Sequence, residues 1–282
     1  MRIAYLGPAG TFTDDAVRAA LGEQPAELVP EPTVYEAILA VESGEANRAL
    51  VPFENSIEGA VRSTLDTLAF DTSSVTIVGE HDLPIRHSLV ARRELRLDEI
   101  TAVLSHPQAS AQCARFIRDR LPAAEVRAAA STAEAVRAVA ASEEPQAALA
   151  ARSAADLYGC VVLAEGVEDS ADNVTRFVWI APRDTRPTGE GTWRTSLAFS
   201  ELGEDRPGAL VEALLEFSRR GVNLTRIESR PRRRGLGRYM FFIDLEGSID
   251  DEIVAEAIEG LRGAAESVRI LGSWPVHTVG VP

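Results

Sequence analysis

The stretch Ala49–Gly59 reads ALVPFENSIEG, an apolar run that ends in three polar residues, Glu54, Asn55 and Ser56. An apolar run this short, closed by polar residues, reads as a buried strand that gives way to a helix over Ile57–Leu68. In open α/β folds ligands bind in the crevice outside the carboxyl ends of the strands, so polar side chains placed there are candidates for binding. Helix capping by Asn55 or Ser56 would account for one of the three residues but not for all of them.

Working outward, the first 182 residues alternate between strand-like and helix-like runs. Strands are expected at Arg2–Gly7, Glu27–Glu31, Ala49–Glu54, Val75–Leu83, His87–Arg92, Ala102–Ser105, Val126–Ala130, Ala147–Ala151, Val161–Glu165 and Phe177–Ala181, with helices such as Val34–Ser43 and Gln108–Leu121 between them. That alternation predicts parallel sheets with helices on both faces. So many strands exceed one small doubly wound sheet, which predicts two α/β lobes with a ligand cleft between them. Residues 183–192, RDTRPTGEGT, read as a linker. After it the order is strand (Arg194–Ser200), helix (Gly208–Arg220), strands (Asn223–Arg230 and Arg238–Leu245), a helix from Asp250–Asp251, and a strand (Ser267–Leu271). This is βαββαβ, the ferredoxin-like arrangement, over 193–275, with 276–282 left as a loose tail.

Composition excludes several chemistries. The net charge is −14, which argues against a nucleic-acid partner. No apolar stretch reaches the ~20 residues needed to cross a bilayer, and Met1-Arg2 runs straight into a strand, so a cytoplasmic protein without a signal peptide is expected. Every basic residue apart from histidine is arginine; the absence of lysine removes Schiff-base and P-loop chemistry. Four histidines, none at ligand spacing, and two cysteines expected to be buried, Cys113 and Cys160, predict neither a metal site nor a disulfide framework.

Further motifs repeat the polar strand end. In GPAGTF (Gly7–Phe12) a glycine turn leads to a helix that Thr11 or Thr13 can cap; an anion site and an ordinary turn are both open readings. In SHPQASAQC (Ser105–Cys113) a strand ends at Ser105, His106 follows, and Gln108 and Gln112 lie one helical turn apart. NVTRF (Asn173–Phe177) places Thr175, Arg176 and Phe177 at the start of a strand, where Arg176 could grip a carboxylate. In the C-terminal part, ESRP (Glu228–Pro231) ends a strand and opens an arginine-rich turn, Arg230 and Arg232–Arg234, that reads most simply as solvated. PGAL (Pro207–Leu210) starts a helix with little side-chain bulk.

Taken in order, GPAGTF, VPFENSIEG, SHPQASAQC and DNVTRF (from Asp172), followed by PGAL and ESRP, resemble the signature segments of the prephenate dehydratases and of the phenylalanine-binding ACT domain. The resemblance implies a two-lobed catalytic unit like a type II periplasmic binding protein, an ACT regulatory domain, and no cofactor or metal. It carries the family's catalytic threonine onto Thr175 and places Glu54, Asn55, Ser105 and Gln112 in the catalytic site. Thr11, Ser56, His106, Gln108, Arg176 and Phe177 are implied to bind substrate. Phenylalanine would be sensed by Gly208, Ala209, Leu210, Asn223, Leu224, Glu228, Ser229 and Arg230. The implied partners are prephenate, L-phenylalanine as effector and further copies of the chain, as a homodimer or homotetramer.

Losing carbon dioxide and water makes the ring of prephenate aromatic, so the drive lies in the substrate. Neutral donors hold a dianion without burying many compensating charges. An alkyl hydroxyl does not ionise near neutrality, so Thr175 is expected to donate a hydrogen bond to the departing oxygen. A full proton transfer would fall to Glu54, given a raised pKa, or to His106. Two alternatives stay open: a non-enzymatic two-lobed sensor fused to an amino-acid-binding domain, and arogenate as substrate. Deleting the chain from Thr192 onward is expected to spare catalysis and abolish sensing.

Overall fold

In the computed structural model, residues 1–203, 206–233 and 236–276 are described. The expected loose tail, residues 277–282, and Arg234 of the arginine-rich turn lie outside them. The elements run β1 (Arg2–Leu6), α1 (Phe12–Leu21), β2 (Glu27–Glu31), α2 (Val34–Glu42), β3 (Arg48–Asn55), β4 (Gly59–Ala60), α3 (Arg62–Asp66), β5 (Val75–Pro84), β6 (Ser88–Ala91) and β7 (Ala102–Ser105). There follow α4 (Pro107–Gln112), α5 (Ala114–Arg120), β8 (Glu125–Ala128), α6 (Thr132–Ala140), β9 (Gln146–Ala150), α7 (Arg152–Tyr158), β10 (Val161–Glu165) and β11 (Val174–Pro182). The chain closes with β12 (Trp193–Ser200), α8 (Ala209–Ser218), β13 (Leu224–Pro231), β14 (Tyr239–Glu246), α9 (Glu252–Ala264) and β15 (Ser267–Pro275).

Two compact units form. The first holds Met1–Ala37, Leu50–Gly59 and Asp82–Phe177; the second holds Ile38–Ala49, Ala60–His81 and Val178–Pro282. Within the first unit, one sheet runs β2-β1-β3-β11 and a second runs β10-β6-β9-β7-β8. Successive residues of the second sheet serve opposite faces, as a strand's twofold period requires. Leu89, Ala91, Ala147 and Leu149 pack with Ile100, Val103 and Cys113, while Val90, Ala148 and Ala150 pack with Ala135, Val136 and Val139. Burial on both faces explains the unbroken apolar strands read from the sequence.

The second sheet is mixed: β6 runs antiparallel to both β9 and β10, while β7 is parallel to β8 and β9. Only ten residues, 92–101, separate β6 from β7 within this sheet, too few for the crossover of a dozen or more residues that a parallel return demands. No helix spans Ile57–Leu68. Asn55 Oδ1 accepts both the Ile57 and Glu58 N–H groups at 3.0 Å, Gly59 takes φ +80°, and Val61 is extended, so the helix cannot start before Arg62. Gln108–Leu121 is likewise two helices. Cys113 leaves helical geometry at φ −116°, the Gln112 carbonyl accepts from Asp169 N, and the Asp169 carboxylate caps the new helix at Arg115 N.

The second unit contains the expected βαββαβ. Its strands are ordered β13-β14-β12-β15-β5, with antiparallel pairing from β13 through to β15. Phe199, Ala213, Phe217, Ile243, Val254 and Leu261 form its core between sheet and helices. β15 meets β5 in parallel at Gly272 and Ile77. A Cβ on Gly272 would lie 2.3 Å from the Ile77 carbonyl oxygen, so glycine is what lets these backbones touch.

Two arginines of the arginine-rich turn, Arg230 and Arg232, are largely withdrawn from solvent, while Arg233 stays exposed. Arg230 makes two bonds to the Asp66 carboxylate, at 3.1 and 2.8 Å, and Arg233 reaches the same carboxylate at 3.1 Å while lying over the Phe70 ring. Arg232 pairs with Glu201. Asp66 of α3, within the same unit, thus serves Arg230 and Arg233, and Glu201 serves Arg232.

Candidate active site

The carboxyl end of β3 and the start of β11 meet in the first unit. Asn55 Nδ2 donates to Asn173 Oδ1 at 2.7 Å and to Thr175 Oγ1 at 2.9 Å. Asn173 Nδ2 donates to Gln112 Oε1 at 3.0 Å, and the same oxygen stands 3.1 Å from His87 Nε2. Four segments far apart in sequence thus build one chain of neutral polar groups. Asn55, Asn173, His87 and Thr175 are all at most 9% exposed. Buried polar groups that satisfy one another in this way are stiff, because any rotation leaves a partner unpaired. Thr175 accepts from Asn55, which leaves its own hydroxyl proton to donate elsewhere.

Gln112 and Asn173 line a cavity of ≈ 200 Å³, together with Ile57, Glu58, Glu168 and Asp169. Two of its three acids are compensated. Glu168 accepts from His87 N at 2.8 Å and from Arg86 at 3.0 Å, and burial, which alone would raise its pKa, is outweighed by those bonds and the Arg86 charge, so the carboxyl titrates below its ordinary value. Asp169 accepts from Arg115 N. Burial, helped by Glu168 and Asp169, pushes the Cys113 thiol up to about 12, which keeps it inert near neutrality. Cys160, expected to be buried as well, is only partly so.

Of the residues read from the sequence, Asn55, Gln112 and Thr175 come together. Glu54 stands apart from the amide chain and pairs with Arg176, whose guanidinium also holds Asp82. Ser105 is fully buried and donates to the Leu149 carbonyl at 2.7 Å, tying β7 to β9. Ser56 spans β3 and β11, donating to Asp172 O and accepting from Val174 N. His106 Nδ1 caps α4 by accepting from Gln108 N, and the Gln108 side chain is exposed. Phe177 is core. Thr11 caps α1 and Gly10 N bonds Asp14, so the GPAGTF turn closes on itself. Among the described residues, no group of three or more histidines, cysteines or acids could share a metal ion.

His87 and Asn173 were the members that the sequence did not disclose. Asn173 opens the NVTRF stretch, where an asparagine before a strand reads equally well as a turn residue. His87 carried no motif, and its only signal was a polar residue opening an otherwise apolar strand. In the second unit, Gly208 caps α8, Ala209 is buried in the core that Leu210 and Leu224 flank, Asn223 and Ser229 are exposed, and Glu228 and Arg230 are partly buried on the edge strand β13.

The fold and the cluster define an α/β unit with a chain of neutral polar groups beside a small cavity, carried on one chain with a ferredoxin-like module. The model of the family described as prephenate dehydratase matches residues 3–185, and that of the ACT domain matches 202–263. The chain is 44% identical over 276 residues to the prephenate dehydratase of Amycolatopsis methanolica, covering 97% of this chain and 88% of that one. Its fold matches that of a prephenate dehydratase from Arthrobacter aurescens, solved in complex with L-Phe, at TM-score 0.89 and 38% identity over 99% of this chain and 93% of the other. A structure described as a novel type of quorum-quenching acylase matches at TM-score 0.85 and 30% identity, covering 98% of each. This chain belongs to the prephenate dehydratase family.

Proposed function

We propose that the chain converts prephenate to phenylpyruvate, carbon dioxide and water, and that its ACT segment senses L-phenylalanine as a feedback effector. The electron pair of the breaking carbon–carboxylate bond enters the ring, and the ring hydroxyl departs as hydroxide, which takes a proton from solvent to become water. Aromatisation drives both changes, so no step calls for a cofactor. Thr175 donates its free proton toward the departing oxygen, a bond that strengthens as negative charge develops there. Gln112 offers an amide to the bound dianion. The observation that carries this reading is the Asn55-to-Thr175 bond at 2.9 Å, which both aims the hydroxyl and frees its proton. Serving as structural ties, Ser105 and Ser56 position the strands rather than touch substrate.

No helix is long and apolar enough to cross a membrane, among the described residues. A cytoplasmic homodimer or homotetramer completes the reading. Purified protein incubated with prephenate and, separately, with arogenate decides the substrate by the aromatic product formed. Phenylpyruvate from prephenate, suppressed by added L-phenylalanine, is the expected result. No turnover of prephenate would overturn the proposal, and amide hydrolysis in a parallel assay would favour the acylase described for the structural relative.

A further inference from the structure

The geometry points to His87 as a positioning residue of this site: its Nε2–H pins the amide of Gln112 and closes a run of hydrogen bonds whose direction the backbone sets at Asn55. This deepens the proposed reaction and rests on it for its catalytic meaning, though the hydrogen-bond direction stands by itself.

The direction follows from two donors that cannot reverse. Backbone N–H groups of Ile57 and Glu58 both point at one end of the Asn55 side chain, so that end is the carbonyl oxygen. Asn55 must then present its NH₂ to Asn173 and Thr175. Asn173 receives that bond on its oxygen and must present its own NH₂ to Gln112. Gln112 receives on its oxygen, and the same oxygen faces His87 Nε2 at 3.1 Å. Two acceptors cannot face each other at that distance, so the imidazole carries its proton on Nε2. The amide flips and the histidine tautomer, which are otherwise free choices, are settled in sequence from the backbone.

The surroundings agree with a neutral ring. His87 is 2% exposed, its plane meets Phe12 edge-on at 5.0 Å between centroids, and Nδ1 has no hydrogen-bond partner among the described groups. Burial lowers its pKa, partly opposed by the Gln112 bond and the Glu168 charge. With its oxygen held twice, Gln112 has only its NH₂ left for the cavity that it lines. Both ends of the chain therefore finish as donors, Thr175 O–H and Gln112 N–H, as an anionic substrate requires. A histidine that merely filled space would impose no tautomer and would not act through Gln112.

Three measurements test this. In wild-type protein, ¹⁵N NMR of the imidazoles should show one histidine held as the Nε2–H tautomer near neutral pH, a signal lost in His87→Gln. An Nδ1–H form or an exchange average at His87 would overturn the inference whether or not prephenate is turned over. In kinetics, His87→Leu should lower kcat about tenfold, a hydrogen bond's worth, with a smaller change in KM. His87→Gln, whose amide can set an N–H near the Nε2 position, should recover most of that loss. Equal losses in His87→Gln and His87→Leu would overturn it. Should His87→Leu fail to fold, His87→Phe, a ring without the N–H, takes its place in a cycle with Gln112→Leu and the double variant. Losses that merge into one are expected, and losses that add in full contradict the coupling.

Discussion

The amide chain around Asn55 and the ion pairs of the second unit both bury polar groups, by opposite means. Asn55, Asn173, Gln112 and His87 satisfy one another as neutral dipoles and still end in unused donors. In the second unit, Arg226 and Asp244, 7% and 0% exposed in their side chains, meet through two bonds of 2.7 and 2.9 Å, and Arg194 meets Glu80 at 2.9 Å. An ion pair is a closed account, in which each charge exists to cancel the other. A dipole chain is open-ended. It can offer donors to a dianion without a counter-charge of its own, which suits a chain of net charge −14.

The strongest way to break this comparison is to remove one charge from the closed region. Arg226→Leu should cost about 3–5 kcal/mol in urea unfolding, because Asp244 stays buried without its cation, and adding Asp244→Leu should restore part of the loss. Full stability in Arg226→Leu would mean that the pair is not what satisfies Asp244. The open region should fail differently. Thr175→Ala should lower kcat about a hundredfold or more while KM and the unfolding midpoint hardly move, and Thr175→Ser should keep most of the activity. An active Thr175→Ala would remove the hydroxyl from the reaction.

The smallest effect is also the finest test. On acidification, His87 and Asp66 should weaken the fold in separate windows. The folded pKa of His87 lies below 6.5 through burial, so the unfolded chain takes up a proton first and stability declines as pH falls below that value. For Asp66, burial pushes the pKa up but the bonds and charges of Arg230 and Arg233 push it further down. Its contribution is therefore present above 3.8 and is lost as pH drops through the depressed folded value. His87→Gln should flatten only the upper window and Asp66→Asn only the lower. A single window abolished by either change would show the two regions to be coupled.

Most strands and the βαββαβ order were legible in the sequence, because apolar runs and turn residues mark local structure directly. The breaks were not. Nothing in Ile57–Leu68 announces that the Asn55 carbonyl will claim two N–H groups and turn the chain, nor does Gln108–Leu121 show Asp169 waiting to cap a second helix. Both depend on residues distant in the chain or on one rotamer. The site was half legible for the same reason. Asn55 stood out as a polar residue at a strand end, and Gln112 and Thr175 entered through the family resemblance, yet Ser105 and Ser56, equally polar and similarly placed, spend their hydroxyls on backbone. Which hydroxyl stays free is decided only when the strands pair.

The contact between Gly272 and Ile77 bears on how this chain can be dissected. β5 owes one neighbour to a strand from the far end of the polypeptide, and the Glu80 carboxylate owes both Arg194 and the Trp274 indole to the same source. Excision from Thr192 onward would strip that neighbour away, leaving a bare strand edge and a carboxylate without its guanidinium. The C-terminal module is not detachable in the sense that its sequence boundary suggests. Loss of activity in such a truncation would report an orphaned edge before it reported anything about phenylalanine, and single substitutions in Gly208–Leu210 or Glu228–Arg230 are the cleaner instrument.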